Sequence, residues 1–125
     1  MPADPVSNAA TDRAPDTAAD VHVAFCTCPD AAVAESLADE LVQTGLAACV
    51  NILPTVRSIY RWEGKLEHDD EALMMIKTTG ARLNSLVARI CELHPYDVPE
   101  VICHPITAGH DQYLDWVRQC TKTPA

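Results

Sequence analysis

No stretch of this chain stays apolar for the ~20 residues a membrane-crossing helix needs, so the sequence predicts no membrane span. The first twenty residues carry no continuous apolar core of the kind a secretory leader requires, and a cytoplasmic protein is expected. Basic residues are scarce: nine Lys and Arg against eighteen Asp and Glu leave a net charge of −9. Binding a phosphate backbone requires a basic face, so nucleic acid is excluded as a partner. Neither an internal repeat nor an interdomain linker interrupts the 125 residues, a length natural to one domain.

The chain is 48% hydrophobic and 22% charged, as soluble globular domains are. Six cysteines in so short a chain raise the idea of a disulfide scaffold. Cys49, Cys91 and Cys103 lie inside apolar stretches, however, where free cysteine packs as a small hydrophobe. Without an export signal, free thiols in a reducing compartment are expected. Residues 1–20 are rich in Ala, Asp and Pro with no periodic apolar pattern, which marks a flexible extension unless a neighbouring subunit ties it down. Residues 21–120 form the folded body, and residues 121–125 a short loose tail.

In the body, Val21, Val23 and Phe25 alternate with smaller or polar residues, predicting a first strand. Asp30 is a candidate N-cap for a helix carrying Val33, Leu37, Leu41 and Val42, with Gly45 as its stop. A second strand is expected from Leu46 to Leu53, broken at Pro54 and resuming from Val56 to Trp62. After a turn at Glu63-Gly-Lys65, a third strand runs from about Leu66 to Thr78. Leu83, Leu86, Val87, Ile90 and Leu93 give the stripe of a second helix, which Pro95 ends. Val101 to Ile106 forms a fourth strand, and Tyr113, Leu114 and Val117 mark a terminal helix.

This order, βαββαβ plus a C-terminal helix, predicts an α+β fold: a ferredoxin-like split βαβ sandwich with an antiparallel sheet. Its two main helices cover only one sheet face. Yet Leu46-Ala-Ala-Cys-Val-Asn-Ile-Leu53 and Ala72-Leu-Met-Met-Ile76 are apolar at successive positions, so both faces need cover. Some oligomer of this chain is therefore expected.

Several segments together are similar to the CutA divalent-cation tolerance family. They are Leu46-Ala-Ala-Cys-Val-Asn-Ile52, Ser58-Ile-Tyr-Arg-Trp-Glu-Gly-Lys65, Glu71 with Lys77-Thr78, His94-Pro-Tyr-Asp-Val-Pro-Glu100 and Tyr113-Leu-Asp-Trp116. The resemblance spans roughly Val21 to Gln119. It implies a compact homotrimer and a link to copper and other divalent cations.

The metal-binding candidates are Cys26 and His94. Cys26 and Cys28 close the first strand just before a helix N-terminus, a place that favours thiolate. They share one face if the strand continues and separate if it turns at Cys28. Thiolate with imidazole suits copper or zinc, and the resemblance points to the same two positions. A core-facing Cys26 and a helix-terminal His94 satisfy the same pattern without metal. Two ligands are too few for a closed zinc site, so water, Cys28 or another subunit would have to complete it. Some relatives carry a second histidine where this chain has Leu93.

Tyr60 and Trp62 share a strand face and, with Trp116, suggest an aromatic interface or pocket. An inter-subunit cleft lined by Tyr60, Trp62, Glu71, Lys77 and Tyr96 is the expected place for a small molecule. Glu100 is available to pair with Lys77. No catalytic constellation is recognisable, so the expectation is a divalent-metal-binding protein of cation homeostasis rather than an enzyme. The alternative is a trimeric signalling or interaction module in which metal binding is incidental.

Overall fold

The computed structural model describes residues 20–122. The expected extension ahead of Asp20 and the tail residues 123–125 lie outside the described residues. The elements run β1 (Val21–Cys28), α1 (Ala31–Gln43), β2 (Cys49–Trp62), β3 (Lys65–Thr79), a 3-10 turn (Gly80–Arg82), α2 (Leu83–Leu93), β4 (Val101–Pro105) and α3 (Asp111–Cys120). They build one antiparallel sheet in the order β2-β3-β1-β4. This is the expected ferredoxin-like arrangement, with β1 and β3 at its centre. Among the described residues no helix is long and apolar enough to cross a membrane.

Local chemistry sets the boundaries. Asp30 Oδ1 accepts the Val33 N–H at 2.9 Å and satisfies one of the orphan donors that open α1. Gly45, at φ +75°, takes the left-handed turn that stops the helix. The N–H groups of Leu46 and Ala47 then return to the Leu41 carbonyl, so the chain enters strand geometry only at Cys49. The expected break at Pro54 is instead a register shift between Leu53 and Val56 within a single strand. Proline lacks an N–H for the ladder, and β2 is an edge strand where a bulge absorbs that loss. The β2–β3 hairpin closes at Glu63 and Gly64, both at positive φ (+49° and +81°), the twist that two-residue hairpin turns require.

Register sorts the side chains. Ala24, Cys26 and Cys28 of β1 lie opposite Ile76, Met74 and Ala72 of β3. All six pack under Ala34, Leu37 and Leu41 of α1 and Leu86 and Ile90 of α2, forming the main core. Met75, one residue on, points the other way and is half-buried, so the two methionines pack on opposite faces. Among the described residues, that second face is covered only at one end, where Val117 of α3 rests on Val21 and Ala48. Beyond it, Leu53 and Ile102 stay 40% and 59% exposed.

One boundary differs from expectation. Thr121, assigned to the loose tail, is buried: its hydroxyl donates to the Val117 carbonyl at 2.8 Å and lies 3.2 Å from that of Thr79. It anchors the end of α3 to β3.

Two substitutions check this architecture by urea unfolding. Ile90→Ala, at a fully buried site between helix and sheet, is expected to cost about 2–5 kcal/mol. Asp30→Ala removes only the cap and should cost about 1 kcal/mol. Equal effects would contradict the assignment of Ile90 to the main core.

Candidate metal centre and the adjoining cleft

Strand β1 runs straight through Cys28, so the two cysteines of the Cys-x-Cys pair share its helix-facing side. Helix α2 ends at His94, which has left helical geometry (ψ +138°), and its ring folds back against β1. The ligand atoms of Cys26, Cys28 and His94 lie within 4.8 Å of one another, and all three residues are buried. The structure thus brings the expected pair together and adds Cys28. The i, i+2 spacing held that signal, but it depended on whether the strand continued.

Backbone groups hold the imidazole from both sides. Nδ1 accepts the Tyr96 N–H at 3.1 Å, which places the ring proton on Nε2, 2.8 Å from the Thr27 carbonyl. Coordination through either nitrogen therefore displaces one backbone hydrogen bond. A typical net hydrogen bond contributes about 0.5–1.5 kcal/mol, small beside the ~10–16 kcal/mol with which thiolate and imidazole sites hold zinc. The donor set fits a soft cation despite the engaged ring.

The two thiols are unequal. Hydrogen bonding between the sulfurs, reinforced by burial, pushes the Cys26 thiol up, and the same hydrogen bond lowers Cys28. The Cys26 sulfur also lies 3.7 Å from the Thr27 carbonyl. Of the pair expected to favour thiolate, Cys28 is the better placed to carry it. Cys28, nearer α1 and stabilised by its neighbour's S–H, is the sulfur that ionises first.

On the other side of Thr27 lies a cleft of about 320 Å³. Tyr60 and Trp62 of β2 wall one side, and Tyr96, Asp97 and Glu100 from the α2–β4 connection wall the other, with Glu71 of β3 between. The Tyr96 hydroxyl donates to Glu71 at 2.8 Å, and the Tyr60 hydroxyl donates to Asp69. Burial, followed by the Glu71 hydrogen bond, raises the Tyr96 phenol well above its ordinary value. At Tyr60 the hydrogen bond to Asp69 pushes the phenol up to about 12. Tyr96 links the two sites, because its ring lies 4.7 Å from that of His94 while its hydroxyl reaches the cleft carboxylate.

Within one subunit, Lys77 of the expected inter-subunit cleft and Trp116 of the expected aromatic group lie elsewhere. Lys77 pairs with Cys49, whereas Glu71 pairs with Val56, so Lys77 stands six residues farther along β3, about 20 Å at strand rise. Its ammonium donates to Asn51 and neither lines the cleft nor meets Glu100. Trp116 stacks on Tyr113 within α3, ring centres 5.6 Å apart, and takes no part in the cleft.

Comparison with known proteins identifies the family. Residues 22–120 match the family described as CutA1 divalent ion tolerance protein. The human protein named Protein CutA is 48% identical over 103 residues, which cover 82% of this chain and 58% of that protein. The chain thus spans little more than half the length of its human relative. The divalent-cation tolerance protein CutA of Thermus thermophilus is 46% identical over 100 residues, covering 80% of this chain and 97% of that one. A crystal structure of CutA from Xylella fastidiosa superposes with a TM-score of 0.81 at 43% identity, covering 82% of this chain and 99% of that chain.

The Tyr60–Asp69 contact can be checked by ultraviolet titration against Tyr60→Phe. One phenol should ionise near about 12 and return toward 10 in Asp69→Asn. Because the folded value is raised, the contact stabilises the hairpin below pH 10 and is lost as pH rises through about 12. An ordinary Tyr60 titration would show that the bond does not form in solution.

Proposed function

This chain belongs to the CutA1 divalent ion tolerance family, and from that premise we propose that it binds copper at Cys26, Cys28 and His94 in a cation-tolerance or homeostasis role. The carrying observation is the convergence of two sulfurs and an imidazole within 4.8 Å inside the core. Two thiolates and one imidazole are a soft donor set that selects copper(I) or zinc over magnesium and calcium. Three ligands fall short of the four of a closed zinc site, which favours copper. Uptake requires Cys26 to lose its proton, so affinity should fall as pH is lowered.

We assign the chain to a homotrimer. The half-covered sheet face and the hairpin residues Ile59 and Leu66, 61% and 65% exposed, support some oligomer, and the choice of three subunits rests on the family resemblance. All six cysteines are free, which supports a reducing, cytoplasmic setting. The reading is of a binding protein rather than an enzyme, and it rests on His94 being oriented at both nitrogens by backbone groups rather than by a carboxylate. That same engagement favours the second reading, an interaction module whose Cys26 and His94 are purely structural.

Native mass spectrometry of the reduced protein, titrated with copper(I) and zinc, separates the two. The copper reading predicts a trimer taking up one copper per subunit, with uptake lost in Cys26→Ser, Cys28→Ser and His94→Ala while the assembly persists. A trimer that stays metal-free, or uptake indifferent to these substitutions, would favour the interaction module.

A further inference from the structure

The cleft beside Thr27 combines a set of carboxylates with a set of aromatic rings. Its walls carry three carboxylates, Glu71, Asp97 and Glu100, and three aromatic rings, Tyr60, Trp62 and Tyr96, but no Lys or Arg. Glu71 is 9% exposed, and among the described residues its one hydrogen bond comes from the neutral Tyr96 hydroxyl. Among the described residues of one subunit, no ion pair reaches it. A carboxylate withdrawn from water without a counter-charge is costly, and buried charges are normally paired. The nearby base of the hairpin, Arg57, is already held by Asp70 at 2.9 Å.

We infer that this cleft binds a small organic cation, an alkylammonium group seated against Glu71 and flanked by the rings of Trp62, Tyr60 and Tyr96. Aromatic faces carry negative potential and attract ammonium groups, most strongly where water is excluded. Carboxylates placed around such a cage give it charge selectivity. An anion finds no donor of positive charge on these walls.

A bare metal ion fits poorly. Among the described residues, the one cluster of three His, Cys, Asp or Glu side chains close enough to share an ion is Cys26, Cys28 and His94. The cleft carboxylates are spread around a cavity of about 320 Å³ rather than converging on one point. That volume matches the small end of organic ligand sites. The two tyrosine hydroxyls donate to carboxylates and stay protonated well above neutrality, so both rings remain uncharged cage walls.

The inference stands apart from copper binding and is tested on metal-free protein in chelator. In a Trp116→Phe background Trp62 is the sole tryptophan, and its fluorescence reports the cleft. Tetramethylammonium and propylammonium chloride are titrated at constant ionic strength, with sodium propionate as the anionic control. A saturable change with the ammonium ions but not propionate is expected, weakened about tenfold or more in Glu71→Gln, as befits loss of a paired buried charge. Tyr96→Phe, which keeps the ring, should retain binding. No saturable change, an equal response to propionate, or an unaltered response in Glu71→Gln would overturn the inference. Light scattering runs in parallel. If ammonium ions do not bind and Glu71→Gln alters the assembly mass, a base from a second copy supplies the counter-charge and the inference is likewise overturned.

Discussion

The alternation of β1 between β3 and β4 is the constraint on which the rest of this subunit depends. Because successive strand residues point to opposite faces, placing Ala24 under the helices also places Cys26 and Cys28 there and turns Thr27 outward. A slip of one residue would invert the whole set, exposing the thiols and burying Phe25 and Thr27 against the helices. The pairing is held on both sides, by β3 along the full strand and by β4 from His22 to Cys26. Two neighbours make that slip doubly costly.

The strand backbone also joins the two sites. The Thr27 carbonyl receives the His94 ring, while Thr27 forms part of the cleft wall. From the other direction, the turn after Pro95 lets Tyr96 serve both: its N–H holds His94 and its hydroxyl holds Glu71. A displacement of Tyr96 therefore touches the imidazole and the carboxylate at once. Core and cleft share hinges made of two consecutive functional groups on one residue, so neither can be rearranged in isolation.

What was legible in the sequence was local. The helices announced themselves through apolar spacing and through Asp30 and Gly45, whose roles depend only on near neighbours. The two-faced apolar pattern of β3 was legible too, since residues 72–76 are apolar at successive positions. The misses were questions of long-range register. Lys77 was placed with Glu71 in one cleft and offered to Glu100, but within the subunit it stands opposite Cys49 and donates to Asn51. Trp116 looked like a third wall of the aromatic pocket because its helix could not be placed before folding. Pro54 read as a break because proline interrupts a ladder, whereas an edge strand tolerates it with a shift. Cys28 was undervalued because its facing depended on whether β1 ran on for one more residue.

The β2–β3 hairpin outruns the rest of the sheet. Strand β1 pairs with β3 only from Ala72 to Thr79, so from Lys65 to Glu71 the outer rim of β3 presents unshared backbone donors and acceptors within one subunit. Such a rim is a template for unwanted strand addition, and proteins guard it with charge. Here Glu67, His68, Asp69 and Asp70 stand in a row along it. Two bare rims of this kind repel one another, while a rim bearing basic or neutral residues is admitted. An acidic row on such a rim disfavours pairing with its like, most strongly in dilute salt, where like charges are least screened.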